Sequence, residues 1–182
     1  ARAFVMFAGP PDQSAAWSNS GAEGTYRFLR RLWNFCAERQ AALKSRSSLD
    51  AMALSPAQKA LRRDIHAHLK QADFDYARLQ YNTVVSAAMK MLNALEDAKL
   101  SAAAADTALL HESVGILLRT LYPIAPHIAH ALWNELGYAA EFGAEVIDAP
   151  WPQPDPIALA TDEIELVVQV ASRDTAIVVT DQ

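Results

Sequence analysis

Apolar positions recur at spacings of three and four along most of the chain, the period of helices buried along one face. Leu110, Val114, Leu117, Leu118 and Leu121 line such a face, and Pro123, which has no amide hydrogen, predicts a helix end near Tyr122. Pro126 suits a first helical position, Ile128, Leu132 and Leu136 repeat every four residues with Trp133 beside them, and Gly137 can close the helix in the left-handed conformation. This pair of helices and its rigid elbow form the unit on which the others are expected to pack.

Upstream, Ser20-Gly-Ala-Glu23 has the spacing of a capping box, which predicts a helix from Gly21 to about Leu43 with Phe28, Leu29, Leu32, Trp33 and Cys36 on its buried face. Lys44 to Leu54 loses the period and is rich in serine, so it reads as a surface loop. Ser55-Pro-Ala-Gln58 restarts order as a second capping box with proline at the first helical position. Leu61, Ile65 and Leu69 then face inward, and Lys59, Arg62, Arg63, His66 and Lys70 fall on the other side. From Tyr76 to Ala98 the period is strongest, through Leu79, Val84, Ala87, Ala88, Met91, Leu92 and Leu95, and predicts one central bundle helix.

At the two ends the pattern changes. Ala3 to Ala8 is apolar and predicted buried, and Gly9-Pro10-Pro11 forces an extended turn after it. Such an opening reads as a fragment of a larger protein whose preceding domain covers it. Pro150 to Pro156 holds four prolines in seven residues, a stiff extended connector. Beyond it, Ile164 to Val170 and Ala176 to Thr180 are short and β-branched and read as two strands. The expected fold is therefore mainly α, a helical bundle over residues 1–155, followed by a linker and partial β-containing C-terminal domain over 156–182.

Composition narrows the class. The 182 residues are 52% hydrophobic and 20% charged, enough for a packed core, and no apolar run reaches the length of a membrane span. With no basic-then-apolar leader, the chain reads as cytoplasmic, with no membrane partner. Cys36 is the single cysteine, beside Leu32, Trp33 and Phe35, and reads as a buried thiol. The net charge of −5 conceals a segregation: between Gly24 and Lys70 ten Lys and Arg stand against three Asp and Glu, whereas the rest of the chain holds six against eighteen. A polyanion would meet one attractive region on an otherwise repellent surface.

No catalytic constellation accompanies that region. The chain has no Gly-X-X-X-X-Gly-Lys loop, no Gly-X-Ser-X-Gly elbow and no Cys-X-X-Cys pair. His127 and His130 lack a third ligand nearby in sequence, His66 and His68 point to different sides, and Glu96, Asp97 and Glu112 read as helix-surface charges. Neither catalytic nor metal-binding residues are assigned.

Six stretches in order carry a family resemblance: Phe4 to Pro11, Trp17-Ser-Asn-Ser-Gly-Ala-Glu-Gly24, Tyr26-Arg-Phe-Leu-Arg-Arg-Leu-Trp33, Tyr81-Asn-Thr83 with Met91 to Leu95, Pro123-Ile-Ala-Pro-His-Ile128 with Leu132-Trp133, and Pro150-Trp-Pro152 leading to Val167 to Val170. Together they resemble the bacterial leucyl-tRNA synthetases in the region after the catalytic domain. The resemblance implies a helical bundle of the class I anticodon-binding type, shared in outline with the valyl, isoleucyl and methionyl enzymes. It implies a monomeric parent enzyme that joins leucine to its tRNA using ATP and Mg²⁺ in a catalytic domain in cis, whose motifs this chain lacks. In that family the bundle is thought to hold the tRNA stem and inner corner without reading anticodon bases.

Stem binding needs cations matched to phosphates. Arg27, Arg30, Arg31, Lys59, Arg62, Arg63 and Lys70 are the phosphate-facing candidates; Trp17 and Trp33 read as core or interface packing, and Gly21, Glu23 and Gly24 as helix entry and docking to the catalytic domain. The alternatives are the equivalent domain of a valyl or isoleucyl enzyme, or a non-enzymatic helical interaction module. After Val170 the family continues with Asn-Gly-Lys where this chain has Ala171-Ser-Arg-Asp, so the family's elbow-binding role is not carried over. Leu69 to Leu79 also looks longer than the family pattern.

Overall fold

A computed structural model of the protein describes residues 1–45, 48–160, 163–169 and 175–181. Nine helices lie within them: α1 (Arg2–Ala8), α2 (Asn19–Glu38), α3 (Gln40–Lys44), α4 (Pro56–Ala77), α5 (Tyr81–Asp97), α6 (Ala104–Leu121), α7 (Pro126–Glu135), α8 (Tyr138–Phe142) and α9 (Pro156–Leu159). The chain is mainly helical, and α2, α4, α5 and α6 are its long members. Strands β1 (Glu163–Gln169) and β2 (Thr175–Asp181) pair antiparallel, Glu163 opposite Asp181 and Gln169 opposite Thr175. Val170 to Asp174, where the sequence departs from the family pattern, lie outside the described residues, as do Arg46 and Ser47 of the serine-rich loop.

The elbow is built as its residues dictate. α6 stops at Leu121, Pro126 opens α7, and Gly137 adopts φ 90°, ψ 6° between α7 and α8. Twelve of the eighteen residues of α6 are buried, so this helix, more than α5, is the enclosed centre; α3, α4, α5 and α7 all pack on it. Its Gly115 lets Tyr138 of α8 lie against the helix, since a Cβ there would sit 3.0 Å from Tyr138 Cε1. Tyr138 is sandwiched between Trp133 (4.8 Å between ring centroids) and His111 (4.4 Å), and its hydroxyl donates to the His111 carbonyl at 2.7 Å. Offset stacking and a satisfied hydroxyl make this buried aromatic a sound anchor for α8.

Several expected boundaries shift. α2 begins earlier, with Ser18 as the cap accepting from Gly21 N, so Ser20 and Glu23 do not form the capping box. Gly21 is instead a docking point: a Cβ there would meet the Phe4 ring at 2.8 Å, which is how α1 rests on α2; of the stretch Ala3 to Ala8, expected buried, only Ala3 and Phe4 are, and Val5 is exposed. The long first helix breaks at Arg39 into α2 and α3. The predicted helix from Tyr76 to Ala98 is divided by a turn at Arg78 to Gln80, in which Leu79 takes φ 58°, so Tyr76 belongs to α4. The turn makes α4 and α5 an antiparallel hairpin, a change of direction that periodicity alone does not register. Cys36 is buried, and that burial pushes its thiol up to about 12.

The proline-rich connector lies on the bundle. Arg119 Nη1 donates to the Pro150 carbonyl (2.9 Å), Trp151 Nε1 donates to Asp73 Oδ1 (2.6 Å), and the Trp151 ring meets Tyr76 edge-on at 5.5 Å. At its far end Asp155 N donates to His66 Nδ1 (3.0 Å). The connector thus runs back along α4 from Tyr76 towards Arg62. Four prolines suit such a path, because they carry no amide hydrogens that would need partners.

Candidate nucleic-acid interface

α4 presents the densest run of cations, and its start is fixed by a complete capping box. Gln58 N donates to Ser55 Oγ (3.3 Å) and Ser55 N to Gln58 Oε1 (2.8 Å). Gln58 Nε2 also donates to Asp106 Oδ1 (2.6 Å) at the start of α6. With about 100° per residue, Lys59, Arg63 and Lys70 fall within a stripe some 40° wide. Lys59 and Lys70 are exposed and Arg63 is half-buried. None of the three forms an ion pair among the described residues.

Arg62 does not belong with them. It lies roughly 60° from Lys59 towards the side of Leu61, Ile65 and Leu69, and is only 7% exposed. Its guanidinium donates through Nε to Glu112 Oε2 and through Nη2 to Glu112 Oε1, both at 2.8 Å, and through Nη2 to Asp155 Oδ2 at 2.7 Å. His66, also buried, completes the group, with Nε2 3.5 Å from Glu112 Oε1. Its Nδ1 accepts the Asp155 amide hydrogen, so the ring proton sits on Nε2. Burial pushes the Glu112 carboxyl up, but the hydrogen bonds and charge of Arg62, with a hydrogen bond from His66, outweigh it and hold the group at about 2. The Asp155 carboxyl is likewise held below its usual range: burial raises it, and Arg62 more than offsets this. Arg62, His66 and Glu112 are therefore a structural lock among α4, α6 and the connector, and not a free cationic face or a surface charge.

The second basic group is on α2. Arg27 and Arg30 are exposed and make no ion pair among the described residues. Arg31 is shared with α5, where its Nη2 donates to Asn93 Oδ1 at 2.8 Å and pairs with Glu96. Trp33 does not join the buried face, which is made by Phe28, Leu32, Phe35 and Cys36; it is 39% exposed. Tyr26, 62% exposed, was not singled out from the sequence, yet Tyr26, Arg30 and Trp33 stand at i, i+4 and i+7 and form one outward stripe. That spacing was readable in advance, and the aromatic type obscured it by suggesting core. Trp17 is 63% exposed and packs edge-on against Phe4, with ring centroids 4.8 Å apart. α2 and α4 each pack on α5, so the two cationic stripes belong to separate helices of one bundle.

His127 and His130 are exposed, and His130 Nδ1 lies 3.4 Å from Glu145 Oε2. Among the described residues no group of three metal-ligating side chains occurs, and no helix is long and apolar enough to cross a membrane. The geometry offers cations and flat aromatic faces directed outward from rigid helices. Those features suit ion pairing with phosphates and stacking on bases.

Residues 58–177 match the family described as the anticodon-binding domain of tRNA ligase. A leucine–tRNA ligase from Methylibium petroleiphilum is 62% identical over 170 residues, covering 93% of this chain and 19% of the relative. Those from Burkholderia ambifaria and Paraburkholderia xenovorans are 59% and 58% identical over the same coverage. The chain thus spans about a fifth of the length of the relatives it matches. Its fold superposes on the LeuRS of Agrobacterium radiobacter K84, solved as a ternary complex with tRNA and LeuAMS, with a TM-score of 0.80 at 22% identity, covering 99% of this chain and 22% of that one. The chain belongs to the anticodon-binding domain family of tRNA ligases, and the relatives that it matches at this identity are leucine–tRNA ligases.

Proposed function

We propose that this domain holds the stem of leucine-specific tRNA for a ligase whose catalytic part, acting in cis, uses ATP and Mg²⁺ to attach leucine. The observation that carries the reading is the stripe of Lys59, Arg63 and Lys70 on α4, without acidic partners among the described residues, in a chain of net charge −5. Cations that are not neutralised at home are available to phosphates, and phosphate contacts position a duplex without reading its sequence. Arg27 and Arg30 on α2 supply a second set of contacts, and Arg31, already shared with Glu96 and Asn93, a weaker one. Arg62 is left out, because its charge is spent on Glu112 and Asp155. That the relatives are leucine–tRNA ligases favours leucine over valine or isoleucine. The whole enzyme is proposed to act as a cytoplasmic monomer, with residues 1–155 as the tRNA-holding domain and 156–182 as a linker and β-containing C-terminal segment.

The test is made on the full-length ligase. Leucine-dependent ATP–pyrophosphate exchange, compared with valine and isoleucine, establishes the amino acid. The salt dependence of tRNA binding then reports the phosphate contacts, with a log–log slope of about −0.7 to −0.9 per phosphate neutralised. Exchange with valine or isoleucine instead of leucine, or an affinity indifferent to salt, would overturn the reading.

A further inference from the structure

Beside the basic stripe of α4 lies a cavity of about 200 Å³. Its lining combines apolar side chains, Met52, Leu54, Ile157 and Ala158, with the cations Lys59 and Arg63. Met52 and Ile157 are 77% and 65% exposed, an unusual state for two large aliphatic side chains that flank one opening. Arg63 Nε is shielded from solvent and has no hydrogen-bond partner among the described residues. A buried donor without an acceptor is costly, and this arginine lines the cavity.

Arg62 also lines the cavity, but two carboxylates occupy its guanidinium. The positive charge available to an occupant is therefore that of Lys59 and Arg63. Enclosing small-molecule pockets run to about 300–1,000 Å³, so this one is too small to enclose a free metabolite and suits a single residue of a polymer laid across its mouth. Two cations beside an aliphatic shelf match the two halves of a nucleotide: the phosphate on the cations, and the ribose or base against Met52 and Ile157.

Resting on the tRNA-holding role proposed above, we propose that this cavity takes one nucleotide of the bound tRNA, its phosphodiester between Lys59 and Arg63 and its sugar or base on the Met52–Ile157 shelf. The α9 turn is then part of the RNA site, and the Arg62 lock, by fixing Asp155, holds that turn in place. Asp155 caps α9 by accepting from Ile157 N at 2.9 Å while pairing with Arg62, so the shelf and the cations are mounted on the same interaction.

Binding of a leucine tRNA transcript to the full-length ligase, titrated with salt, separates the contributions. Lys59→Gln with Arg63→Gln is expected to weaken binding about tenfold and to flatten the log–log salt slope by roughly 0.7–0.9. Met52→Ser with Ile157→Ser is expected to weaken binding about threefold or more with the slope unchanged, because an apolar contact releases no counterion. Lys59→Gln alone, at a solvent-facing position, gives the charge result without touching the half-buried Arg63. If Arg27→Gln with Arg30→Gln weakens binding while both cavity pairs leave affinity and slope unaltered, the cavity is not a nucleotide site, and the tRNA-holding role rests on the α2 arginines instead of the α4 stripe. If the wild-type ligase binds no tRNA, both readings fall.

Discussion

Arg62 and Glu112 meet in a two-pronged pair, Nε to Oε2 and Nη2 to Oε1 each at 2.8 Å, across the contact between α4 and α6. Removing the arginine leaves Glu112 and Asp155, each about a quarter exposed, without their cation; deleting one partner of a fully buried pair costs about 3–5 kcal/mol, and residual solvation makes the cost here smaller. Arg62→Met is therefore expected to lower the urea midpoint sharply, whereas Lys59→Gln, on the solvent side of the same helix, should stay within about 0.5 kcal/mol of wild type. Equal effects at the two positions would contradict the assignment of Arg62 as a lock.

The same pair sets an acid dependence. Glu112 is held at about 2 against an ordinary 4.5, and Asp155 is lowered too. A carboxylate depressed in the folded state contributes stability that is fully present above its unfolded value and disappears as pH falls through its folded one. Unfolding free energy should thus drop between pH 4.5 and about 2, by on the order of 3 kcal/mol for Glu112. Glu112→Gln should flatten that part of the profile, as measured by urea unfolding at several pH values; an unchanged acid limb would show that the pair does not couple to folding.

Gly115 faces the Tyr138 ring, and the 3.0 Å that an added Cβ would leave is tighter than ordinary contact. The ring is held by Trp133 and His111 on its two faces, so it cannot simply turn aside. Gly115→Ala gains close to 1 kcal/mol of helix propensity and loses about 1–3 kcal/mol to overpacking. A net fall in thermal midpoint is expected, and a rise would mean that α8 gives way easily.

On α2, neighbouring arginines should behave differently. Arg30→Glu is expected to reduce tRNA affinity and its salt slope between about 50 and 200 mM salt, since its cation has no local partner. Arg31→Gln should matter less, because Glu96 and Asn93 already share that guanidinium. Filter binding on the two variants distinguishes them, and the reverse order would remove Arg30 from the interface.

Much of this architecture is legible in the residues themselves. The end of α6 before Pro123, the start of α7 at Pro126, the left-handed Gly137 and the Ser55–Gln58 cap are local consequences of proline, glycine and hydrogen-bonding side chains. The turn at Leu79 escaped because apolar positions in α4 and α5 happen to continue one period across it. Arg62, His66 and Glu112 escaped for another reason: their charge marks them as surface residues unless their partners are known.

What the sequence determined alone was the helical period, the caps and stops, the segregation of cations between Gly24 and Lys70, and the resemblance to a tRNA-ligase domain. Only the tertiary structure decided which cations are free. It brought Glu112, fifty positions along the chain, and Asp155, ninety-three along, to one guanidinium, and it left Lys59, Arg63 and Lys70 without acidic partners among the described residues. A side chain's charge is fixed by its chemistry, but its availability to a ligand depends on what the fold sets beside it.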